Sequence, residues 1–114
     1  MNIKEARRMF ASRTSEKDVE RAVVSLLRWH GWLVVKIPND ALYLRRVAHA
    51  VVGATDLVAV SPRGTVVWIE VKRPGGKPRR TQRAFHEALR ERFQRVWVID
   101  NIDTLIKNLE DKFL

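Results

Sequence analysis

The chain contains no cysteine, which excludes disulfides, a thiolate zinc site and a cysteine nucleophile. Its three histidines, His30, His49 and His86, are far apart in sequence and lack zinc-ligand spacing. No apolar run approaches the roughly 20 residues that a membrane helix needs. Met1 to Arg13 mixes charges freely and has no apolar stretch like that of a signal peptide, so the cytoplasm is the expected location and no membrane partner is expected. Internal repeats and low-complexity segments are also missing. Acids are scarce beside bases: 13 Asp and Glu against 22 Lys and Arg, a net charge of +9. So large an excess on 114 residues favours a polyanionic partner, most simply nucleic acid, over a merely basic soluble protein. Hydrophobic residues make up 46%, enough for one core, so a single fold must both bind and act.

Residues 1–14 read as an N-terminal extension, with a short basic amphipathic helix over 3–12, and residues 15–114 as one domain. Ser15-Glu16-Lys17-Asp18 signals a helix start, with Ser15 as N-cap. The stripe Val19, Ala22, Val23, Leu26, Leu27, His30 follows at helical spacing, and Gly31 is the expected left-handed stop. Trp32 to Ile37 is nearly continuous in apolar residues and predicts a strand buried on both faces. An irregular connection over 38–53 holds Tyr43, Arg45, Arg46 and His49. Strands over Thr55–Val60 and Thr65–Lys72 flank the turn Ser61-Pro62-Arg63-Gly64. After the basic loop Arg73–Lys77, Pro78 opens a helix predicted to run to about Phe93, with Phe85, Ala88, Leu89 and Phe93 inward. A short buried strand over Val96–Ile99 and a helix over Asp103–Phe113 complete an α/β chain of order α-β-β-β-α-β-α.

Chemistry concentrates at Asp56 and, fourteen residues on, at Glu70-Val71-Lys72. Strand alternation puts Trp68, Glu70 and Lys72 on one face. Both acids lie at the strand ends away from the turn, so pairing brings them near each other, where they repel unless a cation or a proton lies between them. Glu20 borders the apolar stripe of the first helix and leans towards the sheet. Gln82, three residues before Phe85, falls on the sheet-facing side of the second helix or in water at its first turn. From Lys72 to Arg83 six bases (Lys72, Arg73, Lys77, Arg79, Arg80, Arg83) meet no acid, a pattern suited to phosphate at a helix N-terminus. Arg45 and Arg46 form a second candidate patch. His86, one turn after Gln82, is within reach of the same cleft but reads first as a partly buried structural histidine; Trp29, Trp32, Trp68 and Trp97 read as core and rim aromatics, with nothing to support base stacking.

The ordered set Glu20, Gly53-Ala54-Thr55-Asp56-Leu57, Trp68-Ile69-Glu70-Val71-Lys72, Lys77-Pro78 and Gln82 resembles the PD-(D/E)XK nuclease superfamily. Within it, the set is most similar to stand-alone viral and bacterial VRR-NUC (virus-type replication-repair nuclease) domains, related to Holliday-junction resolvases. The resemblance covers about residues 15–100 and departs from the family at Thr55, where proline is usual. It implies a restriction-endonuclease-like core, a central mixed four-stranded sheet flanked by helices, in the cytoplasm of a prokaryote or phage host. It also implies Mg²⁺ or Mn²⁺ held by Asp56, Glu70, the Val71 carbonyl and Glu20, with Lys72 and Gln82 as further catalytic residues. The implied substrate is branched DNA, including four-way junctions, cut by a homodimer. Competing expectations are a catalytically idle DNA-binding module, a nuclease on flaps or duplex DNA in repair or restriction, and an RNA-directed enzyme. No base-reading motif supports sequence specificity.

Overall fold

The computed structural model describes residues 4, 15–38 and 52–114; the readings of Arg45, Arg46, Tyr43 and His49, and of the 3–12 helix apart from Lys4, lie outside the described residues. The described elements follow the expected order: α1 (Glu16–Trp29), β1 (Leu33–Lys36), β2 (Leu57–Val60), β3 (Val66–Val71), α2 (Arg80–Arg90), β4 (Arg95–Ile99) and α3 (Ile102–Leu109). The strands form one mixed sheet in the order β1-β2-β3-β4, antiparallel across β1-β2-β3 and parallel between β3 and β4.

Local chemistry accounts for the ends of α1. Ser15 accepts from the Asp18 N–H at 3.2 Å, satisfying one of the first turn's free donors. At the other end Gly31 adopts φ +83°, donating to the Arg28 carbonyl at 3.0 Å while Trp32 N–H reaches the Leu27 carbonyl at 3.0 Å. That pair of bonds is a Schellman stop, and it delivers the chain directly into β1.

The core lies between one face of the sheet and helices α1 and α3. Leu57, Ala59, Val67, Ile69, Val71 and Ile99 from the strands meet Val19, Ala22, Val23, Leu26 and Leu27 from α1 and Leu105 from α3. On the opposite face α2 covers only part of the sheet, where Phe85 meets Trp68 edge-on with ring centroids 6.0 Å apart.

Three expectations need correction. β1 is an edge strand buried on one face only: Val34 is inside, whereas Leu33 is 65% and Val35 50% exposed. A continuous apolar run looks the same whether both faces or one is covered, so composition could not separate the cases. β4 forms the other edge and is only half-buried except at Ile99. Finally, α2 ends at Arg90 and α3 at Leu109, so Phe93 and Phe113 point outward, 95% and 71% exposed. Phe93 adopts φ +60°, a left-handed conformation that breaks the helical spacing on which its inward placement depended.

Candidate active site

Asp56 stands one residue before β2. Its backbone carbonyl accepts from the Ile37 N–H at 2.8 Å, and its Oδ2 accepts from the Val71 N–H at 2.7 Å. The β2–β3 register pairs Leu57 with Ile69, so one step further sets Asp56 opposite Glu70. The segment leading in is tightly placed. Gly53 has φ +83°, and a Cβ there would sit 2.4 Å from the Thr81 carbonyl oxygen. Glycine therefore lets the strand that carries Asp56 press against the first turn of α2, which carries Gln82.

Glu70 is wholly buried, a costly position for a carboxylate, and both of its oxygens have partners on α2. Oε1 lies 3.1 Å from Nε2 of His86, and Oε2 accepts from Nε2 of Gln82 at 3.4 Å. Gln82 also caps its own helix, its Oε1 accepting from the Arg79 N–H at 2.8 Å. Burial first, then the hydrogen bond and charge of Asp56, push the Glu70 carboxyl up to about 9 from its ordinary 4.5, against the pull of Lys72. Burial, with the charges of Arg90 and Lys72, lowers the His86 imidazole from its ordinary value. The two shifts agree: near neutral pH the Glu70–His86 contact is a hydrogen bond between uncharged groups, and Glu70 keeps a proton beside Asp56.

A cleft of about 280 Å³ opens at this end of the sheet, lined by Asp56, Gln82, Glu16, Glu20, Lys17, Lys36 and Arg79. Its walls come from both sides of the sheet. The register puts Lys36 beside Leu57, on the α1 face, while Asp56 and Glu70 belong to the α2 face. Glu20 therefore reaches the cleft from across the sheet's end, where its Oε1 meets Lys36 Nζ at 2.6 Å. Among the described residues no three acidic or histidine side chains converge as a complete metal site. The Asp56–Glu70 pair nonetheless suits a hard divalent cation, since oxygen donors are what such ions take and the proton held there is what a cation would replace.

The basic run divides in two. Lys72 is 6% exposed and acts on Glu70 from close range, whereas Arg73, Lys77, Arg79, Arg80 and Arg83 are exposed around the start of α2. Arg83 is held in place by donating from Nη1 to the Pro78 carbonyl at 2.8 Å. Gln82, for which sequence left a solvent-facing alternative, is buried against Glu70. Lys17 and Lys36 were missed, and His86, expected first as a structural residue within reach of the cleft, contacts Glu70 directly. For His86 a signal existed, its one-turn spacing from Gln82; for Lys36 none did without the β1–β2 register. Trp32 and Trp97 meet inside the fold with ring centroids 5.9 Å apart and planes tilted by 51°, a packing contact of the core and its rim.

No known family's sequence profile matches the chain, and neither does any curated protein. Among solved structures it superposes with a TM-score of 0.72 on a chain described as a VRR_NUC domain, at 28% identity, over 88% of this chain and 99% of that one.

Proposed function

We propose, on the likeness of the chain to a VRR_NUC domain, that it is a metal-dependent endonuclease that hydrolyses phosphodiester bonds in branched DNA, resolving four-way junctions as a homodimer. The observation that carries this reading is the close pairing of Asp56 with the buried Glu70, next to Lys72 and under a basic rim. Asp56, Glu70 and the Val71 carbonyl would hold Mg²⁺ or Mn²⁺, with Glu20 contributing once released from Lys36. When bound, such an ion polarises a phosphoryl oxygen and lowers the pKa of water. Asp56 is oriented for its part by the Val71 N–H, and Glu70 by α2. Lys72 orients the attacking water or neutralises charge growing on the phosphate. Gln82 keeps Glu70 in place, and Arg73, Lys77, Arg79, Arg80 and Arg83 bind the backbone without reading bases.

The homodimer follows from the reaction: symmetric cutting of a junction needs two sites, and one chain offers one. A panel of duplex, flap, single-stranded and four-way-junction DNA with Mg²⁺ or Mn²⁺ tests the proposal, with Glu70→Ala as control. Preferential cutting of the junction, lost in Glu70→Ala and accompanied by a dimeric mass, is expected. Equal cutting by Glu70→Ala refutes the site. A monomer on junction DNA refutes resolution.

A further inference from the structure

α2 begins beside the basic rim, yet its buried face carries two polar side chains, Gln82 and His86, with Leu89 completing the stripe. A buried imidazole is costly unless it is hydrogen-bonded, and an apolar residue beside Phe85 and Leu89 would fill the space without that cost. His86 is 2% exposed and its ring reaches Glu70 Oε1 at 3.1 Å, while Gln82, one helical turn earlier, holds Oε2. Gln82 is in turn fixed by the Arg79 N–H. Rotation of the Glu70 carboxylate is therefore blocked at both oxygens by one rigid helix, and each oxygen keeps a second lone pair for another partner.

We propose that His86 is a positioning residue for the metal site: with Gln82 it forms a two-point clamp that presents the Glu70 carboxylate to a divalent cation in one orientation. The proposal rests on the reading of Glu70 as a metal ligand. Groups that orient a ligand in this way govern cation affinity by about 10–100-fold, because a ligand free to rotate must be ordered at the moment of binding. His86 is buried, with 2% of its surface exposed, so its influence falls on the cation and on turnover rather than on nucleic-acid affinity.

The test is Mn²⁺ binding to the full chain, measured by electron paramagnetic resonance, for wild type, Glu70→Gln, His86→Leu and His86→Gln. Wild type is expected to bind and Glu70→Gln to lose binding. His86→Leu, similar in volume but without a donor, should weaken binding about tenfold or more, and His86→Gln, which keeps an N–H donor, should stay within about threefold of wild type. In metal-free buffer the wild type and the two His86 variants should bind DNA with similar affinity. Wild-type affinity in His86→Leu would overturn the clamp while leaving the metal site intact. Failure of wild type itself to bind Mn²⁺ would overturn the metal-site reading beneath it. Should His86→Leu not fold, the ¹⁵N shift of the His86 Nε2 in wild type decides: it moves on titration with Mg²⁺ if the clamp is real, and a shift that stays constant refutes it.

Discussion

Replacing Glu70 by Gln should stabilise the metal-free protein, by more as pH rises. The folded chain holds the Glu70 proton up to about pH 9, whereas the unfolded chain releases it near 4.5. Between those values the folded state binds more protons, so stability falls with rising pH. The sign is that of a raised acid: its favourable contribution is complete below 4.5 and is lost progressively up to about 9. At pH 7, retaining that proton costs about 3.4 kcal/mol at 1.36 kcal/mol per unit, a ceiling because the buried pair can relax. Glutamine carries no such proton but keeps an acceptor for Gln82 and a donor for Asp56, so its own fit adds an offset that does not change with pH. Urea unfolding of both proteins in chelator at pH 5, 7.5 and 8.5 measures the difference. His86, whose pKa is lowered, has the opposite behaviour below its ordinary value of 6.5, and being common to both proteins it largely drops out of the comparison. The gap between Glu70→Gln and wild type should widen by about 3 kcal/mol from pH 5 to pH 7.5, on the order of 10 °C in Tm. A gap that stays level across this range, or narrows, would refute a protonated, buried Glu70.

Cation binding should release a proton from Glu70, so Mn²⁺ affinity rises with pH up to about 9; calorimetry in buffers of different ionisation heat measures the release, and a buffer-independent heat contradicts it. Lys36→Met should tighten Mn²⁺ by freeing Glu20 and weaken DNA binding by removing a cleft cation, two changes of opposite sign that a merely structural lysine would not produce. Gly53→Ala should cost at least about 1–2 kcal/mol, the penalty of a left-handed side chain, plus the push of its Cβ against Thr81. A urea midpoint unchanged from wild type would show that the contact between the Asp56 segment and α2 is loose.

Much of the element order was legible because it is written locally. Ser15 and Gly31 bracket α1 by chemistry that acts within one turn, and the turn at Ser61–Gly64 forces β2 and β3 into a hairpin. The pairing of Asp56 with Glu70 was legible for the same reason: a short hairpin leaves only a narrow choice of register. Helix ends were less so. Phe93 and Phe113 continue an apolar spacing beyond the point where the backbone has left the helix, and side-chain spacing carries no information about that turn.

The sequence by itself determined that this is one basic α/β domain with two acids and a lysine at the end of a hairpin, because charge, periodicity and turn chemistry are properties of neighbouring residues. Only the tertiary structure decided what surrounds those acids. Gln82 and His86 lie twelve and sixteen residues from Glu70, and Glu20 meets Lys36 across sixteen residues and the end of the sheet. Such contacts depend on how α1 and α2 dock, and docking is set by the burial of whole faces rather than by any local signal. The Glu70 proton belongs to the same class: it exists because folding removes water from a carboxyl and sets a second one beside it.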